Sequence, residues 1–360
     1  MRRINLIHNV YQFSITECNL AAVMGDFTTL QIYDHDGNVK SKFLSTKKIQ
    51  NLSSCKNLFW ANETEENKSI FYDGKIFSNY DFNIRDVSKN LSYFIGVRDN
   101  ISARVALDGS IKWELNDKIV NLYMNDTKIY YVSNKRSVIA INIDSGEKLW
   151  ENYLDEEFDW IEKDFYNQIV NRKIGITKII GEQNGKLWLL LSSKNILCLN
   201  SGNGQKIYYF NTSSVYRDKW VDIERRDRYL FSNYSKLDKK NEILYDLTAT
   251  TYTEIDARLL TYVTYDAYEA AERNNVKIFA SKAQIENNII YTDWGIFSEK
   301  FGVYSRKTKD IIWSSEITDN EGNNLGIREL KYFKGRLYIL DNAFNLHIFD
   351  SLDIDVLGYA

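Results

Sequence analysis

Proline is absent from the 360 residues, although average usage would supply roughly 18 in a chain this long. Proline-rich linkers and polyproline ligand segments are therefore excluded, and no X-Pro bond slows folding. Turns have to be built from Gly, Asn, Asp and Ser, which are plentiful. Cysteine is scarce too: Cys18, Cys55 and Cys198 are far apart and odd in number, and no CxxC pair exists. This argues against a disulfide framework or a zinc site and favours a reducing compartment. The three histidines, His8, His35 and His347, show no metal-ligand spacing. Apolar runs such as Leu187-Trp188-Leu189-Leu190-Leu191 fall far short of the roughly 18 residues that span a bilayer. Asn5, His8, Asn9, Gln12 and Glu17 interrupt any apolar signal-peptide core, so a cytoplasmic setting without membrane insertion is expected. Charge of one sign is missing as well. With 46 Lys and Arg against 49 Asp and Glu, the net charge of −3 offers no general attraction to nucleic acid or an anionic membrane. The phosphate-loop, dinucleotide, zinc-protease and hydrolase signatures are all absent, so no catalytic residue is assigned.

What the chain does contain is strand signal. Short runs of Ile, Val, Tyr, Phe and Leu alternate with turn residues, and helical periodicity is scarce. Residues 128–132, 138–143 and 148–153 read as a meander of three strands. Gly37, Gly74, Gly109 and Gly146 close the sharpest turns and are spaced 37, 35 and 37 residues apart. Glycine there fits the positive φ that tight hairpins require. Looser copies around Gly204 and within residues 242–255, 301–313 and 346–351 bring the count to eight. A four-stranded unit of about 40–50 residues cannot bury both faces alone, whereas radial stacking covers them. The expected fold is all-β. It is a single β-propeller over residues 1–360, with eight four-stranded antiparallel blades favoured, seven as the alternative, and short helical insertions.

The segment from Ala140 to Trp150, with Asn142, Asp144, Ser145-Gly146 and the closing Trp, resembles the repeat of the pyrroloquinoline-quinone-like (PQQ-like) β-propellers. Val303 through Trp313 keeps the spacing with Lys309 at the glycine position, Cys198 through Tyr208 ends in Tyr, and Val105 through Trp113 is two residues shorter. The resemblance implies that Trp113, Trp150 and Trp313 are structural, packing between neighbouring blades. It does not carry a cofactor with it: the quinone dehydrogenases of that family use a vicinal cysteine pair beside an acidic metal-holding cluster, and this sequence has no adjacent cysteines. No cofactor and no metal are expected.

Binding residues concentrate on loops that break a repeat. Three irregular insertions stand out, near residues 155–172, 213–240 and 264–276. In the first, Phe158, Ile161, Phe165 and Ile169 recur at helical spacing among acidic residues, which predicts a short amphipathic helix. Its apolar face either caps the propeller or leaves Glu156, Glu157, Trp160 and Asp164 to meet a basic partner. The second interleaves basic residues with Trp220, Tyr229 and Tyr234, diluted by five carboxylates, and reads first as a solvated blade edge. In the third, Asp266 and Glu269 have the spacing of a helix-capping pair. The leading expectation is a non-catalytic, cytoplasmic module that binds another protein through Glu156, Glu157, Trp160, Asp164 and Trp220. The resemblance class adds an immunity or effector-binding role as a refinement. An enzyme acting on a small molecule or glycan in the central funnel and a nucleic-acid binder remain as alternatives, the latter disfavoured by charge.

Overall fold

The computed structural model describes residues 3–64, 67–88, 90–163, 168–193, 195–210, 234–240, 242–248, 251–266, 270, 273–276, 279–285, 288–293 and 300–350. They build eight four-stranded antiparallel sheets arranged in a ring, an eight-bladed β-propeller. Blades 1 to 7 lie within residues 10–44, 49–80, 83–115, 120–153, 176–210, 234–266 and 279–316, and blade 8 combines residues 327–349 with residues 3–7. Within blades 1 to 7 the strands follow chain order from the channel outward.

Middle strands are sandwiched between neighbouring blades, so Leu58–Glu63, Lys186–Leu191 and Arg336–Asp341 are apolar and buried almost throughout. Outer strands have one wet face, and Val39–Leu44 and Lys148–Tyr153 are correspondingly mixed. The core is a set of wedges rather than one mass. Tyr130, Val138 and Trp150 of blade 4 pack on Ile176, Leu187 and Leu189 of blade 5, and Phe13 and Leu20 of blade 1 pack on Tyr338 and Ile348 of blade 8. Aspartate and asparagine build the turns that proline does not. Asp34 accepts the amides of Asp36 and Asn38, both at 2.9 Å, and Asp256 accepts those of Arg258 and Leu259 at 2.8 and 2.7 Å. Lys309, at the turn position that Gly146 and Gly204 hold in blades 4 and 5, also takes a positive φ of +60°.

Blade 8 closes the ring with both parts of the chain. Arg3–Ile7 pairs antiparallel with Leu346–Phe349, placing Leu6 opposite His347 and Ile7 opposite Leu346. Antiparallel alternation then sorts the loops. Blade-to-blade connections and second-to-third-strand turns share one face, called here the connection face, while the other turns share the opposite face.

The insertion at residues 155–172 differs from the expected amphipathic helix. Glu156–Phe158 forms one 3-10 turn, and Trp160–Lys163 pairs with Ile169–Arg172 as a two-stranded hairpin separate from every blade. Ile161, Ile169 and Val170 are β-branched and favour extended backbone. Ile169 is 73% exposed, so the spacing of apolar residues does not create a continuous face that caps the ring. Of the second insertion, Tyr234–Asp238 is the first strand of blade 6, and residues 211–233, Trp220 included, lie outside the described residues. In the third, Asp266 ends a strand, Glu269 lies outside the described residues, and a helical turn is marked by the Asn274 amide donating to the Ala270 carbonyl at 3.3 Å. Among the described residues no helix is long and apolar enough to cross a membrane.

Candidate functional site

The tryptophans define how one blade holds the next. Trp113, on the fourth strand of blade 3, donates its indole N–H to the Ile143 carbonyl of blade 4 at 2.9 Å, and its ring lies against Gly146, which has φ +73°. Trp150 repeats this one blade later, donating to the Ser201 carbonyl at 3.1 Å with its ring against Gly204, at φ +75°. A Cβ on either glycine would sit within 3.0 Å of the indole, so the Gly–Trp pairing is steric as well as conformational. Trp313 of blade 7 packs edge-on to Phe301 at 5.4 Å and against Ile327, Leu330 and Leu337 of blade 8.

His8 and His35 fall at the seam between blades 8 and 1, whereas His347, opposite Ile339, is on the face of blade 8 that packs on blade 7. His8 pairs with Asn345 at 2.8 Å, His35 with the Tyr338 hydroxyl at 2.7 Å, and His347 with Asp341 at 2.9 Å. Asp341 is fully buried and also accepts the Asn345 amide at 2.8 Å and its side-chain N–H at 3.0 Å. Burial alone would raise this carboxyl, but the bonds from His347 and Asn345 outweigh it and hold it below the ordinary carboxylate range. A depressed folded-state pKa gives stability that is present above about pH 4 and is lost as pH falls through the folded value. Asp341→Asn is therefore expected to cost about 1–3 kcal/mol at pH 7. The gap should narrow at pH 3, read by urea denaturation at both values. An equal gap at the two pH values would remove Asp341 from this role.

Of the sequence-selected residues of the first insertion, Glu156, Glu157 and Trp160 lie on the connection face between blades 4 and 5. Phe158 is buried, edge-on to Tyr209 at 5.2 Å, and anchors the turn in the core. Asp159 bridges Arg136 at 3.2 Å and accepts the Ile174 amide at 2.8 Å, fixing both ends of the hairpin base. Glu156 and Glu157 are exposed, but Glu157 pairs with Lys206 at 2.6 Å. Trp160 opens the first hairpin strand, and Asp164 lies outside the described residues. Glu156 and Glu157 thus lie on the 3-10 turn and Trp160 on the hairpin strand that follows it, whereas Asp164 and Trp220 lie outside the described residues.

Two depressions were not legible as local motifs. On the opposite face a cleft of about 670 Å³ between blades 2, 3 and 4 is lined by Cys55, Asp86, Tyr93, Arg104, Asp126 and Asp144 among others. Arg104 stacks over Tyr93 at 4.1 Å and pairs with Asp144 at 2.7 Å. Burial raises the Asp86 carboxyl, partly offset by the Val87 amide, and burial together with Asp86 raises the Cys55 thiol. On the connection face a depression of about 500 Å³ is lined by Tyr11, Gln12, Gln50, Asn51, Arg328 and Glu329, from the innermost strands of blades 8, 1 and 2. Bulges at Val10/Gln12, Gln50/Ser53 and Ile327/Glu329 break the regular alternation of those strands. Bulges on three separate blades leave no contiguous sequence signal. Among the described residues no three His, Cys, Asp or Glu side chains group as a metal site.

Ring closure, blade stitching and loop placement define an eight-bladed β-propeller with a decorated connection face. No family model and no curated protein matches the sequence. Solved structures do: Saccharomyces cerevisiae Sqt1 is similar with a TM-score of 0.61 at 8% identity, covering 98% of this chain and 97% of that one. The C-terminal WD40 domain of Sif2 is similar at 0.59 and 10% identity, covering 98% of each chain. BamB from Moraxella catarrhalis scores 0.48 at 9% identity, over 97% of this chain and 99% of that one. At such identities the likeness to Sqt1 and to the Sif2 domain establishes the propeller fold alone.

Proposed function

We propose that this propeller is a protein-binding module whose docking edge is the connection face at blades 4 and 5. The observation that carries this reading is the hairpin Trp160–Lys163/Ile169–Arg172. It pairs with no blade, is fixed at its base by Phe158 and Asp159, and presents Ile169 at 73% exposure. A rigidly mounted loop with an exposed apolar residue suits recognition of a partner surface. The Gly–Trp stitches of blades 3 to 5 support treating the blades as PQQ-like repeats. A cytoplasmic setting, and an immunity or effector-binding role within it, belongs to the same reading; Cys18, Cys55 and Cys198 are unpaired, which suits a reducing compartment.

Replacing residues 160–172 with a short Gly-Ser turn tests the proposal while sparing Phe158 and Asp159. Affinity capture from the source cells is expected to recover a protein with the intact chain and lose it with the folded variant. Unchanged capture moves the interface off the hairpin, and no specific capture by the intact chain sinks the protein-binding reading.

A second reading, a small-molecule or glycan site, is favoured by the 670 Å³ cleft, whose size suits such a ligand and whose Asp86 carboxyl is raised by burial. Thermal-shift screening with Asp86→Asn as control checks it. A stabilising compound whose effect survives that substitution is not bound there.

A further inference from the structure

We propose that the mouth of the central channel on the connection face, at blades 8, 1 and 2, docks an acidic peptide segment of a partner protein. The inference rests on the protein-binding reading but uses a surface distinct from the hairpin. Its centre is a row of three rings: Phe27 edge-on to Tyr11 at 4.4 Å, and Tyr11 stacked with Phe344 at 6.4 Å. Cations stand over the row. The Arg328 guanidinium lies 5.1 Å from the Tyr11 centroid and 4.8 Å from that of Phe344, and the Lys48 ammonium lies 5.9 Å from that of Phe27. The 500 Å³ depression opens beside Tyr11 and Arg328.

The fold does not require the rings of Phe27 and Phe344. Phe27 and Phe344 hold φ +62° and +64°, a left-handed conformation that costs a bulky residue about 1–3 kcal/mol. The backbone at both positions is structural. The Phe344 carbonyl accepts the Val10 amide at 2.7 Å, and the Phe27 carbonyl accepts the Ile49 amide at 2.6 Å, each tying a turn to the next blade. Lys135, at φ +66°, makes the equivalent bond to the Ile176 amide at 2.6 Å without an aromatic ring. Glycine or asparagine would adopt that conformation at lower cost. Two phenyl rings at these positions, one under Arg328 and the other under Lys48, therefore serve the surface.

Charge selects the occupant. Arg328 is exposed, and its contacts among the described residues are the two ring faces, while neighbouring Glu329 is engaged by Lys331 at 3.0 Å. A guanidinium over aromatic rings, with no carboxylate partner of its own, has N–H donors to offer a carboxylate in bidentate geometry. Among the described residues no carboxylate pairs with Lys48 either. Two separate cations joined by an aromatic row match an acidic peptide with apolar side chains between its carboxylates. A nucleic-acid strand would call for a continuous basic groove.

The test is fluorescence anisotropy of the full chain with a labelled hexapeptide of alternating glutamate and phenylalanine. Saturable, salt-sensitive binding is expected, at least tenfold weaker in Arg328→Ala and intermediate in Arg328→Lys, which keeps the charge and loses the fork. A peptide with lysine in place of glutamate should not bind, and the hairpin exchange should leave affinity unchanged. Arg328→Ala removes an exposed side chain and should retain the wild-type melting temperature, so a loss of binding is not a loss of fold. No binding of the acidic peptide, equal affinity in Arg328→Ala, or preference for labelled oligodeoxythymidylate overturns the proposal. Hairpin-dependent capture that persists in those cases shows that this site alone has failed and the protein-binding reading stands.

Discussion

Deleting residues 1–7 is expected to destabilise the propeller by roughly 3–6 kcal/mol, the combined effect of lost apolar burial and ladder hydrogen bonds. These residues are the outer strand of blade 8, where Ile7 is 8% exposed and Ile4 packs on the cluster of Phe13, Tyr338 and Ile348. Such a loss is a large share of the net stability of an ordinary domain, about 5–15 kcal/mol. A general effect of shortening the chain is separable from loss of closure. Arg3 lies opposite Phe349, so a circular permutant with residues 3–8 attached behind Asp350 through a short turn restores the same pairing. Thermal melts should show the deletion well below the wild type and the permutant close to it. A permutant as unstable as the deletion would mean that the strand does not close the ring.

The second large effect is at the blade 4–5 stitch. Gly204→Ala is expected to cost about 2–4 kcal/mol, combining a left-handed backbone penalty of about 1–2 kcal/mol with overpacking against Trp150. The added Cβ would lie 2.6 Å from the Trp150 ring. Gly109 is the internal control: its φ is +88° and nothing lies within 4 Å of its Cβ position, so Gly109→Ala should show the backbone penalty alone. In a Trp150→Leu background the Gly204 substitution should fall to the Gly109 value. Additive losses in that double mutant would show that the glycine is there only for its φ.

The repeat was legible because each blade carries its own turn chemistry. Gly37, Gly74, Gly109, Gly146 and Gly204 all fall in third-to-fourth-strand turns, and each takes positive φ. Asp34, Asp73 and Asp108 cap such turns by accepting amides two to four residues on. These are short-range dependencies, so spacing in the sequence reports them directly. The first insertion shows the opposite case. Phe158, Ile161, Phe165 and Ile169 are spaced as on a helix, yet a hairpin forms, because pairing of Trp160–Lys163 with Ile169–Arg172 supplies hydrogen bonds that periodicity alone does not anticipate.

The site was less legible than the fold. Glu156, Glu157 and Trp160 belong to a legible departure from the repeat, and the structure divides them between a 3-10 turn and the hairpin strand that follows it. The role of Glu157 in holding Lys206 depends on a strand of the next blade, 49 residues away. Arg328 and Tyr11 are about as far apart in sequence as the chain permits and meet only because the ring closes.

By itself the sequence determined the all-β class, the eight repeats and the turn chemistry. Each of these is written within one blade or between adjacent blades, where local sterics and hydrogen bonding decide the outcome. Only the tertiary structure decided that Arg3–Ile7 completes blade 8, that His8 and His35 meet Asn345 and Tyr338 where blades 8 and 1 join, and that Phe27, Tyr11 and Phe344 form a row beneath Lys48 and Arg328. Those juxtapositions arise from closing a ring, which brings distant turns together without leaving a pattern in the intervening chain.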